Sequence, residues 1–319
     1  MLDSLLISTI VLFSAIAIDL IVGEYPTRLH PTVWVGRIIG FFKPRLKDSS
    51  AKREYIKGTI FALMLVVTSF TVAHYILVSA SLLDMLIATA LAVLILKSTF
   101  AIRSMEEHAK AVIDAIVIDN DIITARQRLA RIVGRDTSNL DDEHILSAVI
   151  ESIGESIVDG INSPLFYYAL YGVPLAFAYR VINTLDSMLA YRDPYHKHIG
   201  YASAKLDTIA NYIPARITAI IIVIASLLLR LDWKNAFKVM LRDRHNTPSK
   251  NSGYPMSALA GALRIRLEKI GYYTLGDAYE SISIKHYMLA VKVMKLSALI
   301  FILIVVIPLL LLRAFIVYR

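Results

Sequence analysis

Four stretches of this chain, residues 4–18, 58–80, 217–229 and 296–312, contain no Asp, Glu, Lys or Arg. An apolar run of about 20 residues crosses the roughly 30 Å hydrocarbon core of a bilayer as a helix. Lipid offers no partner to backbone N–H and C=O groups, so the helix is the form such a run takes. Composition agrees: 56% of the 319 residues are hydrophobic and 19% charged, against about a quarter charged in soluble domains. The pattern predicts an all-α, polytopic membrane protein with about five transmembrane helices, plus re-entrant or interfacial helices and cytoplasmic amphipathic ones. The run at 5–22 has no basic segment ahead of it and no small-x-small cleavage pattern, so it is expected to be a retained span rather than a signal peptide.

The net charge of +8 sits mostly beside the spans. Residues 23–57 carry eight Lys or Arg against Glu24, Asp48 and Glu54, which places that loop in the cytoplasm and the N-terminus outside. No nucleic-acid partner is expected; the bilayer accounts for the basic excess. With no cysteine, disulfides, thiolate nucleophiles and thiolate metal sites are excluded. The chain reads as one integral membrane domain. Residues 1–100 form a three-span part (5–22, 58–78, 83–100), and 101–161 a cytoplasmic helical segment with Asp141 as an N-cap. A membrane-embedded motif region at 162–231 follows, then a cytoplasmic segment at 232–295 and a last span at 296–319. Asp84 and Lys97, near opposite ends of the third span, are expected to reach the interfaces. No internal repeat is visible, which disfavours an inverted-repeat transporter.

Polar motifs concentrate between the spans. Glu151, Glu155 and Asp159, at i, i+4 and i+8, share one face of a helix. Their repulsion would be relieved by Mg²⁺, a hard cation that takes oxygen ligands; a solvated acidic stripe is the plain alternative. Among the arginines just upstream, Arg131 and Arg135 suit phosphate or carboxylate, and Arg126 and Arg128 read as a basic helix face. Asn183, Asp186, Arg192, Asp193, Asp207, Asn211 and Arg216 lie close against spans, where ionisable groups are costly and usually functional. Arg242-Asp243 leads into a Gly- and Pro-containing loop at Asn251-Ser252-Gly253-Tyr254-Pro255. His196 and His198 carry little signal, and there is no HExxH, P-loop or GxSxG pattern.

Taken in order, these runs resemble the membrane-bound cobinamide-phosphate synthases of cobalamin biosynthesis, the CbiB/CobD type. The resemblance begins with Asp19-Leu20, Gly23-Glu24, Pro26, His30-Pro31 and Gly36-Arg37, and continues through Arg103, Glu107-His108-Ala109, Arg131 and Gly134-Arg135-Asp136-Thr137. Glu151-Ser152, Glu155, Asp159-Gly160 and Pro164-Leu165-Phe166 follow. The block at 183–216 is its most specific part, and Arg242-Asp243 and 251–263 complete it. Ser156, Lys250, Thr208 and Thr32 depart from the pattern; Thr208 weakens a paired-carboxylate role for Asp207.

The resemblance implies an ATP-dependent acid–amine ligase that joins aminopropanol phosphate, or a related amino alcohol, to adenosylcobyric acid. ATP and Mg²⁺ are then the cofactors, the corrinoid is a substrate, and other late cobalamin-pathway enzymes are further partners. On this reading Glu151, Glu155, Asp159 and Asp186 hold Mg²⁺. Arg37, Arg131, Arg135, Asn183, Arg192, Asn211, Arg216, Arg242 and Asn251 bind phosphate or substrate. His30, Asp207 and Asp19 serve catalysis, with His30 or Asp207 taking the amine proton.

Two other classes remain open. Asn183-x-x-Asp186 with Asp193 faintly resembles the aspartate-rich motifs of membrane prenyltransferases, although a second such motif is missing. A transporter would carry its ionisable residues at mid-membrane, whereas here they cluster at span ends and in loops. Pro164, Gly172 and Pro174 interrupt the apolar stretch at 162–184. If that stretch crossed simply, Asp186 to Asn211 would lie outside, away from cytosolic ATP. A re-entrant or interfacial arrangement is expected instead, keeping the motifs on the cytoplasmic face.

Overall fold

A computed structural model describes residues 2–191 and 193–317. The fold is all-α and polytopic. The described residues include a single two-stranded hairpin, Leu267–Lys269 against Tyr273–Leu275. Three helical stretches of 33 residues, Ala51–Leu83, Met85–Val117 and Ile284–Ile316, are long and apolar enough to cross a membrane. Tyr201–Ala210 and Tyr212–Leu228 qualify together but are bent by 49° at their junction, and Leu5–Ile21 is a shorter apolar helix.

The chain divides into two compact units, each assembled from separated segments. The first comprises Met1–Ala101, Ser163–Asn211 and Ile304–Arg319. Its core packs Val35, Ile39 and Leu46 against Ala62, Val181, Leu185, Leu189 and Ile199. Gly58, one helical turn before Ala62, lies so close to the Ile199 carbonyl that a Cβ there would overlap it. Gly58→Ala is therefore expected to cost about 1–3 kcal/mol through overpacking, read as a lower denaturation midpoint in detergent.

The stretch at 162–184 does not form one helix. Ser163–Tyr171 and Val173–Leu189 are separated at Gly172, whose φ of 76° lies in the left-handed region that favours glycine. The Tyr167 and Tyr179 rings stack with centroids 5.1 Å apart. Twelve residues of continuous helix would hold them about 18 Å apart, so the chain doubles back at Gly172. This hairpin explains why a stretch with the length to cross does not do so as one helix.

Lys97 departs from the sequence expectation. It does not reach an interface: its side chain is 0% exposed and ion-paired within the first unit. An ammonium on an apolar helix can snorkel when water is near, but here carboxylates from other segments reach it first. Asp84 instead caps the Met85–Lys97 helix, accepting from the N–H groups of Leu86 and Ile87 at 2.7 and 3.1 Å.

The second unit comprises Ile102–Asn162 and Tyr212–Leu303. Asp141 caps its Asp142–Ser156 helix, accepting from the His144 N–H at 2.9 Å, as the sequence predicts. That helix is buried continuously from Ile145 to Gly154. Every residue of Gly253–Leu263 except Tyr254 is buried. It crosses Trp233–Asp243 at Gly261, where a Cβ would press on the Asn235 carbonyl at 2.7 Å. Ile157–Asn162 is a π-helical turn following Asp142–Ser156, a feature that recurs at functional sites.

Candidate functional site

In the first unit, Lys97 Nζ lies 3.2 Å from Asp19 Oδ1 and 2.9 Å from Glu24 Oε1. Glu24 Oε2 is 2.7 Å from His30 Nε2, and the Thr32 N–H donates to His30 Nδ1 at 3.2 Å. That donor assigns the proton of a neutral His30 to Nε2, facing Glu24. His30 thus caps the Pro31–Phe42 helix with both ring nitrogens engaged, which leaves no lone pair directed at an amine. Asp19 is likewise fully buried in the ion pair. Arg37 is exposed on the same Pro31–Phe42 helix.

This cluster makes a pH prediction. Burial pushes the Glu24 carboxyl up, but hydrogen bonds with His30 and Lys97 outweigh it and hold the group at about 2 rather than 4.5. A carboxyl held below its unfolded value stabilises the fold at higher pH, and that contribution is lost as pH falls through the folded value. Resistance to denaturant should therefore fall between pH 4.5 and about 2, and Glu24→Gln should flatten that part of the curve.

A second network in this unit joins residues picked out from sequence. Asn211, fully buried, donates to Asp207 Oδ1 at 2.9 Å and accepts from Ser163 Oγ at 2.6 Å and Tyr179 OH at 2.8 Å. Asn183 also hydrogen-bonds Asp207 and accepts from Arg180 at 3.1 Å. Asp186 lies one turn beyond Asn183 on Val173–Leu189, half-buried. Asn183, Asp207 and Asn211 are thus brought together. Arg192 lies outside the described residues.

In the second unit the Glu151 side chain is 3% exposed and accepts from three residues. These are Arg135 Nη2 at 2.5 Å, Tyr273 OH at 2.7 Å and Ser147 Oγ at 3.0 Å, and Ser147 Oγ itself accepts from the Glu268 N–H at 2.8 Å. Burial and the neighbouring Glu151 charge both push the Tyr273 hydroxyl above its ordinary value. Tyr273 therefore stays protonated and donates. Glu155 is exposed and Asp159 half-buried on the π-turn, so the acidic stripe grades from core to solvent. Arg131 is exposed. Arg126 donates to the Leu140 carbonyl, fastening the loop after Ile122–Leu129, and Arg128 to the Ala111 carbonyl of the preceding helix.

Among the described residues, no three His, Asp or Glu side chains gather as they would around a metal ion. Mg²⁺ is commonly held by one or two carboxylates and substrate phosphates rather than by a protein cage. Glu155 and Asp159 fit that second mode by their exposure. Glu151, saturated by Arg135, Tyr273 and Ser147, is arranged as an ion-pair partner.

Arg216 is presented differently. Its guanidinium stacks 3.5 Å from the Tyr212 ring centroid and 4.6 Å from that of Tyr254, and donates to Asn251 Oδ1 at 3.3 Å. Two aromatic faces hold the fork flat, and no Asp or Glu among the described residues pairs with it, which is how an arginine is prepared for an external anion. Arg242 is the opposite case. It pairs with Asp243 at 2.7 Å and Asp277 at 3.0 Å, while Asp243 Oδ2 accepts from the Gly276 N–H at 2.8 Å. Both carboxylates push the Arg242 guanidinium up, and the trio clamps Trp233–Asp243 to the loop after the hairpin.

Lys97 and Tyr273 are the contributors that sequence reasoning missed, while Tyr212 and Tyr254 lie within motif runs that gave them no role of their own. Lys97 carried a signal, a lone cation in an apolar run; Tyr273 carried none.

A family model described as CobD/Cbib protein matches residues 12–315. The chain belongs to the CobD/Cbib family. A Methanothermobacter thermautotrophicus protein named probable cobalamin biosynthesis protein CobD is 40% identical over 292 residues, covering 91% of this chain and 94% of the relative. A protein of the same name from Methanocaldococcus jannaschii is 37% identical, covering 94% and 97%. Cobalamin biosynthesis protein CobD of Clostridium perfringens is 39% identical, covering 84% and 87%. No solved structure matches the chain. The polar blocks carrying the networks above all fall within the matched span.

Proposed function

We propose that this protein acts in cobalamin biosynthesis, attaching aminopropanol phosphate or a related amino alcohol to adenosylcobyric acid by ATP-dependent amide formation. The product is adenosylcobinamide phosphate. The observation that carries this reading is the CobD/Cbib match over residues 12–315. The relatives named as cobalamin biosynthesis proteins support the pathway.

A carboxylate is a poor acyl donor. In the proposed reaction its oxygen attacks the γ-phosphorus of ATP and ADP departs. The amine then attacks the acyl carbon, and phosphate leaves with the former carboxylate oxygen. Such chemistry depends on positioning and charge neutralisation. Mg²⁺ bound with the nucleotide would neutralise phosphate charge, and the oxygen donors proposed for it in the second unit are Glu155 and Asp159. Arg216, held between two tyrosines, binds a phosphate or the corrinoid carboxylate. Asp207, oriented by Asn211 and Asn183, takes the proton from the attacking amine; His30 is poorly disposed for it.

Arg216→Lys keeps the charge but loses the planar fork. Losing one charge-assisted contact is worth about 1.5–3 kcal/mol, so kcat/KM should fall roughly 10- to 100-fold, with the melting midpoint little changed. The reading as a whole is tested by giving membranes, with ATP and aminopropanol phosphate present, labelled adenosylcobyric acid or labelled isoprenyl diphosphate. Conversion of the corrinoid alone supports amide ligation. Conversion of the isoprenoid alone would replace it with prenyl transfer.

A further inference from the structure

The Pro31–Phe42 helix has two apolar faces. One, through Val35 and Ile39, is buried in the core of the first unit. The other carries Trp34, Ile38 and Phe41 at i, i+4 and i+7, and these are 48%, 42% and 57% exposed. Residues at that spacing form one stripe. In water such a stripe of large apolar side chains would be unfavourable.

The depth of the helix is fixed by its C-terminal end. The Phe42 ring lies 5.3 Å from that of Phe61, a residue one turn inside the charge-free run that starts at Gly58. Ile60, Leu63 and Met64 beside it are exposed on the same long helix, as lipid-facing side chains are. The chain around the stripe is basic: residues 23–57 hold eight Lys or Arg against three acids. Arg37 is exposed beside Trp34 and Ile38, and the Arg45 guanidinium lies 3.7 Å from the Phe41 ring centroid. An apolar stripe at the depth where the hydrocarbon begins, rimmed by cations, has the make-up of a helix that lies in a membrane interface.

We infer that Pro31–Phe42 is an interfacial docking surface for anionic phospholipid, its Trp34–Ile38–Phe41 stripe among the upper acyl chains and the basic residues of 23–57 at the headgroups. The surface has a consequence for the first unit. His30 caps this helix and is tied to Glu24, so lipid that seats the helix also steadies the Glu24–His30–Lys97 cluster.

The two tryptophans of the chain, Trp34 and Trp233, make the test direct. The full-length Trp233→Phe protein has Trp34 as its single reporter. It is reconstituted in vesicles of equal parts phosphatidylglycerol and phosphatidylcholine, with one or the other brominated on the upper acyl chain. Trp34 fluorescence should be quenched by brominated lipid and resist aqueous iodide, and brominated phosphatidylglycerol should quench about twofold more strongly than brominated phosphatidylcholine. Quenching by iodide instead would put the stripe in water. Resistance to both quenchers would mean that protein covers it, and equal quenching by the two lipids would remove the anionic preference. Each of these three results overturns the proposal.

Discussion

Lys97→Met should lower the stability of this protein by about 3–5 kcal/mol, the cost of removing one partner from a buried ion pair. Lys97 is fully buried between Asp19, also fully buried, and Glu24. Methionine matches the volume of the lysine stem but leaves two carboxylates facing each other without a cation. The loss arises from the stranded charges rather than from the absent contact, so it should be recoverable. Lys97→Met combined with Asp19→Asn removes one of the two charges and should regain a large part of the stability. The check is the denaturation midpoint of both variants in detergent. A Lys97→Met protein as stable as the parent would show that the cluster is hydrated and not a buried ion pair.

Glu151→Ala should have a comparable effect for a related reason. Arg135, with its side chain 12% exposed, loses its carboxylate partner, and Tyr273 OH and Ser147 Oγ lose their acceptor. A loss of about 3–5 kcal/mol is expected. Arg135→Met with Glu151→Leu replaces the pair by apolar groups of similar size and should restore most of it, since such replacements are often neutral or stabilising. Ligase activity separates two roles for Glu151. If the carboxylate only fastens Arg135, the restored double variant regains turnover; if either residue contacts nucleotide or substrate, turnover stays lost while the fold returns. Turnover is expected to stay lost, because an arginine fork that suits phosphate or carboxylate is absent from the double variant.

Features of the fold that depend on neighbours in sequence were legible from the start. The charge-free runs at 58–80 and 296–312 fall within two of the helices long and apolar enough to cross a membrane, because lipid constrains composition over a whole span. The Asp141 cap was readable because a cap acts on amides within three residues of itself. Gly172 and Pro174 marked where the 162–184 stretch breaks, though not that the chain doubles back there. Asn183, Asp207 and Asn211 were singled out by their proximity to spans, and they share one network. What escaped were partnerships across long separations. Lys97 meets Glu24 across 73 positions, and Tyr273 reaches Glu151 across 122. Nothing local distinguishes a lysine that snorkels from one met by two acids, or a loop tyrosine from one that holds a glutamate. The acidic spacing at 151, 155 and 159 predicts one face, but the helix is buried at its first member and enters a π-turn before its last.

The central claim, that the chain makes an amide through a phosphorylated carboxylate, is tested most directly by an isotope experiment. Purified protein is supplied with ATP, aminopropanol phosphate and adenosylcobyric acid carrying ¹⁸O in its free carboxylate. Adenosylcobinamide phosphate should form only when ATP is present, and the inorganic phosphate released should carry one ¹⁸O atom for each amide made. Amide formed without nucleotide, or phosphate free of the label, would contradict the account.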